Sequence, residues 1–288
     1  MSSKAGVEVV AGSGRSILGE GPLWSPAGNA VYWVDILGKR LRRLALAGGT
    51  VESWDMPEPI GWVIERAAAP GFIAGFASGF AELTLAPVTV TPIVDPEPGM
   101  DANRMNDAKA DRHGRIWAGT MPFACDVDSG GFYRLDPDRR CTRVDKPYRI
   151  ANGPAILPDA SALFHTDTGR GQVYRMAIND DGSLGPRELF IDFANLPGKP
   201  DGMTLDADGC LWIAHWGASR VTRFDPAGRA ERFIPLPASQ ITSMTFAGED
   251  LSRMFVTSAA DGVDEPLAGA LFEVEPGCRG LPPHRFGG

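Results

Sequence analysis

Apolar residues in this chain come in short runs broken by Gly, Asp, Asn or Pro, and many of the runs alternate with polar positions. VEVVAG, AVYWVD, FIAGFA, RIWAGTM, GFYRLD, ALFHTD, QVYRMAI, CLWIAHW, RVTRFD, RMFVTSA and ALFEVE are all rich in β-branched and aromatic residues. Such segments read as strands separated by tight turns. No stretch keeps a helical period over several turns, so the pattern predicts an all-β chain.

The strands recur as a unit. Tyr32, Ile73, Trp117, Phe164, Trp212 and Phe255 are aromatic or branched anchors spaced 41 to 48 residues apart. That period is the size of a four-stranded propeller blade. Six units fill residues 1–288 as one six-bladed β-propeller, a closed ring without free sheet edges. After Gln240 the last unit offers only ITSMTFA, RMFVTSA and ALFEVE. The N-terminal strand around Val7 to Val10 is therefore expected to close the last blade.

A polar or special residue lies 11 or 12 positions upstream of each anchor: Glu20, Gly61, Asn106, Asn152, Asp201 and Ser243. In a ring these positions meet at the axis. Glu20, Asn152 and Asp201 supply two carboxylates and one amide oxygen, donors suited to a hard divalent cation. Each alone, standing before a glycine, reads as a turn residue. At one register in separate repeats they read as a metal site. Calcium, magnesium and manganese fit best, and zinc or ferrous iron is accommodated by such donors. Arg104 flanks the third position and offers a fork for a carboxylate or carbonyl, or else lies on a surface loop. The segments Asp206-Ala-Asp208-Gly209 and Asn179 to Gly182 look like starts of calcium loops, but lack the distal glutamate and read as β-turns. His165 and His215 lie on strands and read as buried wall residues, with Asp167 as a partner near the channel.

Composition narrows the function. The formal net charge of −8, with only two isolated basic runs at Lys39 to Arg43 and Arg139 to Arg143, argues against a nucleic-acid partner. No apolar run approaches a membrane span, and the first residues carry no apolar signal core. The four cysteines make no C-x-x-C pair, which fits a reducing cytoplasm.

LGEGPLW, RMNDAKADRHGRIWAGTM, ANGP, HTDTGRGQVYRM, PDGMTLDADGCLWIAHWG and AGALFEVEPG, in that order, resemble the gluconolactonase/regucalcin (senescence marker protein) family. The resemblance runs from about Ile17 to the C-terminus. It implies a six-bladed propeller that hydrolyses a sugar lactone with one divalent metal. The family's metal-binding Glu, Asn and Asp match Glu20, Asn152 and Asp201, and its substrate-binding Arg and Asn match Arg104 and Asn106. Some members carry a glutamate shortly after G-T-M; here Pro122 and Phe123 follow. Phe123, together with Trp62 beside Gly61, is expected to give the pocket mouth an apolar wall. Such a wall would favour a pentonolactone or a deoxyhexonolactone over gluconolactone. Asp201 is the candidate general base as well as a ligand. Two other readings stand beside this one: a calcium-dependent, paraoxonase-like esterase for less polar esters, and a non-catalytic metal-binding regulatory propeller.

Overall fold

The computed structural model describes residues 6–288. They form six four-stranded antiparallel sheets arranged as the blades of a propeller. Numbered in chain order, the blades have inner strands Gly19–Ser25, Ile60–Glu65, Asn103–Ala110, Ala151–Ile156, Lys199–Leu205 and Ile241–Ala247. Each inner strand neighbours the next around the axis, and the sixth returns to the first. The strand Val7–Val9 pairs with Phe272–Val274 as the outermost strand of the sixth blade, so the two ends of the chain close the ring. The one helical element among the described residues is the 3-10 turn Phe193–Asn195.

The core is divided by the blades. Six apolar clusters fill the six gaps between neighbouring sheets. Trp212 with Met244 and Phe272 seals the fifth against the sixth, and Trp24 with Phe255 and Leu271 the sixth against the first. The recurring anchors sit in these seams, and Ile73, Trp117, Trp212 and Phe255 have no exposed surface. In the third and fifth blades a turn aspartate braces the anchor. Asp111 accepts from His113 N, Arg115 N and Trp117 Nε1, and Asp206 accepts from Asp208 N, Cys210 N and Trp212 Nε1. The segment beginning at Asp206 is thus the β-turn its sequence implied.

Every inner strand has a β-bulge, and each bulge falls beside the recurrent polar position: after Glu20, Ile60, Met105, Asn152, Pro200 and Ile241. A bulge interrupts the ladder and re-aims a side chain. The glycines at this level let the strands crowd the axis. A Cβ on Gly21, whose φ is +53°, would lie 2.7 Å from the Gly61 carbonyl oxygen. One on Gly202 would lie 2.4 Å from Ser243 Oγ. No larger residue fits either place without moving a neighbouring strand.

Candidate metal centre and substrate cavity

The N-terminal ends of the inner strands surround a cavity of about 320 Å³. Glu20, Arg104, Asn106, Asn152 and Asp201 all line it, brought from four blades. All five are buried. Phe123 stands at the rim, 43% exposed, with the Arg104 guanidinium 5.9 Å from its ring centre. Thr168, Lys199 and Trp216 complete much of the remaining wall.

Hydrogen bonds fix which atoms face the cavity. Asn152 donates from Nδ2 to Thr168 Oγ1 at 2.8 Å, and Thr168 donates in turn to the Pro200 carbonyl at 2.7 Å. That leaves Asn152 Oδ1 as its available donor atom for a cation. Asn106 donates from Nδ2 to this oxygen and to the Ala151 carbonyl, both at 2.8 Å. Its own Oδ1 accepts from Arg104 at 2.6 Å. Asn106 is therefore engaged as a spacer between Arg104 and Asn152, its oxygen already accepting from a guanidinium. Oδ1 of Asn152, which accepts one hydrogen bond, keeps a free lone pair, because a carbonyl oxygen accepts twice.

A further carboxylate lies in the same region. Asp107 is buried and accepts from Ala108 N at 2.8 Å and Gly153 N at 3.0 Å, one bond to each oxygen. The second bond ties the third blade to the residue after Asn152. In the sequence Asp107 stands out only as the one acid of the RMNDAK segment, beside Asn106, and the bulge after Met105 interrupts the alternation there.

The electrostatics are those of crowded acids. Burial, then the charge of Asp107, pushes the Glu20 carboxyl up to about 8. Burial, then Glu20, then Asp107, holds Asp201 well above the usual carboxylate range. Burial lowers the Arg104 guanidinium from its ordinary value. Carboxylates packed this way favour a bound cation, since like charges raise each other's proton affinity and a positive ion relieves both. The all-oxygen set of Glu20, Asn152 and Asp201 fits a hard divalent ion on chemical grounds. Among the described residues no three His, Cys, Asp or Glu side chains form a ligating group, so the candidate set rests on two carboxylates and an amide.

Trp62 is not part of this cavity. It is 1% exposed and packs between the second and third blades, its ring 5.7 Å from that of Phe80 in a T-shaped contact. Successive strand residues point to opposite sides. Gly61 abuts the Asn106 carbonyl of the next inner strand, and Trp62 turns into the seam. The expected apolar mouth therefore has Phe123 but not Trp62. His165 is enclosed by Phe132 and Tyr148, and His215 contacts the Pro197 carbonyl at 2.7 Å; neither lines the cavity. Asp167 caps the turn before the fourth blade, accepting from Arg149 N and from Arg170.

Other cavities carry less chemistry. One of about 260 Å³ is acidic, but both oxygens of its Glu97 are taken by Thr120, Tyr133 and Asn103. Another, of about 210 Å³, lies at the C-terminal ends of the inner strands and is bordered by Leu281 to His284.

A family model described as the SMP-30/Gluconolactonase/LRE-like region matches residues 18–260. The chain is 34% identical over 273 residues to a 6-deoxy-6-sulfogluconolactonase of Pseudomonas putida, covering 91% of this chain and 94% of that protein. It is 33% identical to a pentonolactonase of Haloferax volcanii, covering 93% and 94%. A crystal structure of a calcium-binding protein, regucalcin, from Agrobacterium tumefaciens superposes with a TM-score of 0.92 at 28% identity, covering 98% of this chain and 97% of that one.

Proposed function

We propose that this chain, which belongs to the SMP-30/gluconolactonase/LRE-like family, is a metal-dependent hydrolase that opens a sugar lactone to the aldonic acid. The observation that carries the reading is the meeting of Glu20, Asn152 and Asp201, from three separate blades, on one cavity beside Arg104 and Asn106. The relatives named as sugar lactonases support the reaction class.

Glu20, Asn152 and Asp201 would hold the ion. A divalent cation bound there supplies Lewis-acid polarisation of the lactone carbonyl and lowers the pKa of a coordinated water. Arg104, buried and bonded to Asn106, presents a fixed fork to the ring or carbonyl oxygens of the lactone. Asn106 holds that fork and Asn152 in one arrangement. Asp201 takes the proton of the attacking water, a role that needs a carboxylate within reach of both water and carbonyl. The buried floor limits solvent around the developing oxyanion, which strengthens these contacts.

Phe123 keeps part of the earlier expectation for the substrate tail: a single apolar rim residue, without Trp62, disfavours one hydroxyl rather than several. Hydrolysis of a panel of hexono- and pentonolactones, with and without EDTA, tests the proposal. Loss of activity on chelation and return with a divalent ion supports it. Activity confined to aryl esters would favour the paraoxonase-like reading instead, and binding of metal without turnover the regulatory one.

A further inference from the structure

The inner strands line the cavity in two layers. Because strand side chains repeat with a period of two, the residue two places before each metal-level position shares its face. Before Glu20, Asn106, Asn152 and Asp201 these residues are Leu18, Arg104, Ile150 and Lys199, and all four line the cavity. In the second and sixth blades the same position holds Pro59 and Ile241, which carry no charge. The layer nearer the mouth therefore has two cations and no acid. Arg104 bonds to Met105 O and Asn106 Oδ1 and to no carboxylate. Lys199 is exposed on the rim and makes no ion pair among the described residues. Asp261 is the opposing acid of the lining. Among the side chains that line the cavity, and with a divalent ion balancing Glu20 and Asp201, Arg104 and Lys199 outnumber Asp261 by one charge.

We infer that the distal end of the substrate carries an anionic group, a sulfonate, carboxylate or phosphate, and that Lys199 is the residue selecting it. This rests on the lactonase reading above. A lactone whose carbonyl lies at the metal level extends its tail toward the next layer of the wall. There Arg104 is committed to Asn106 and the inner part of the ring, and Lys199 is the free cation. An exposed ion pair is weak in water. Beside the apolar Leu18, Ile150 and Phe123 the local dielectric is lower and the pair counts for more. The expected selectivity is about tenfold or more, the scale of one charge-assisted hydrogen bond.

The test has two arms on the metal-loaded protein. The first compares kcat/KM for glucono-1,5-lactone with that for 6-deoxy-6-sulfogluconolactone, 6-phosphogluconolactone and glucaro-1,4-lactone. It uses the wild type, Lys199→Met and Lys199→Arg. At least one anionic lactone should be preferred about tenfold or more by the wild type and by Lys199→Arg, with the ratio near one in Lys199→Met. The three anions distinguish sulfonate, phosphate and carboxylate. The second arm measures binding of 6-deoxy-6-sulfoglucose, glucose 6-phosphate and glucuronate against glucose by calorimetry, which needs no turnover. Tighter binding of an anionic sugar that is lost in Lys199→Met supports the inference even if no lactone is hydrolysed, a result that would overturn the lactonase reading alone. Equal binding of neutral and anionic sugars, or a preference that survives in Lys199→Met, overturns the inference.

Discussion

At the scale of single residues, the site depends on side chains with few substitutes. Asp201 is given two roles in the proposed mechanism, ion ligand and proton acceptor. Asp201→Ala should lower turnover by at least about a hundredfold, the lower bound for loss of a general base. Its melting temperature should stay close to that of the wild type, because the seams that hold the fold lie elsewhere. Unfolding of the variant would show instead that Asp201 caps a turn. Asp107 is not among the residues that line the cavity. Its two oxygens hold the backbone on both sides of the gap between the third and fourth blades. Asp107→Asn keeps the shape but turns an NH2 group toward one of those N–H donors. Loss of such a supporting contact costs about 10–100-fold in metal affinity. Calorimetric metal titration of this variant checks it, and an unchanged affinity would remove Asp107 from the account. Glu20, Asn152 and Asp201 were legible in the sequence because the repeat put them at one register. Trp62 was misread for the same reason: a register names a level in the ring, and the pleat then decides which neighbour faces the axis. Asp107 escaped because a bulge, invisible in a period-two reading, breaks the alternation between Met105 and Ala108.

At the scale of elements, the inner strands divide their labour between a ladder that holds the blade and a bulge that serves the cavity. The strand count, the blade order and the closure by Val7–Val9 could be read from spacing alone, since four short strands per repeat admit few arrangements. The bulges could not, because one extra residue in a strand breaks the alternation at a point that the apolar pattern does not mark. The fourth blade also stores an acid-sensitive element. Both ring nitrogens of His165 are buried without a hydrogen-bond partner, and burial holds its pKa well below the ordinary value. Burial lowers His215 likewise, from 6.5 to about 4. The unfolded chain binds these protons more readily than the folded one. Stability is therefore complete above the ordinary histidine pKa and falls as the pH drops from 6.5 toward 4. A gap of that size for His215 corresponds to about 3 kcal/mol. Denaturant unfolding at pH 7 and pH 5 should show the loss, and His165→Phe, whose ring suits the pocket of Phe132 and Tyr148, should show less of it. An equal slope in wild type and variant would place the acid sensitivity elsewhere.

At the scale of the whole molecule, closure of the ring and assembly of the site are one event. The proposed ligands come from the first, fourth and fifth blades, so no part of the chain shorter than most of the ring contains them. The chain's ends secure this. The N-terminal strand completes the sixth sheet, and Phe286, fully buried, pairs its backbone with Glu65 and Ala67 in the seam of the second and third blades. Removing residues 1–10 would expose the edge strand Phe272–Val274 and is expected to lower the melting temperature and promote association through that edge. A truncated protein that stays monomeric with an unchanged melting temperature would contradict the role given to this closure. The central claim is that one divalent ion on Glu20, Asn152 and Asp201 drives lactone opening. Its most direct test is the rate of sugar-lactone hydrolysis by metal-stripped protein as a divalent ion is titrated back. The account expects negligible activity in the stripped protein and full recovery at one equivalent, with no recovery in Asp201→Ala. Undiminished hydrolysis by protein shown to be free of metal would contradict it.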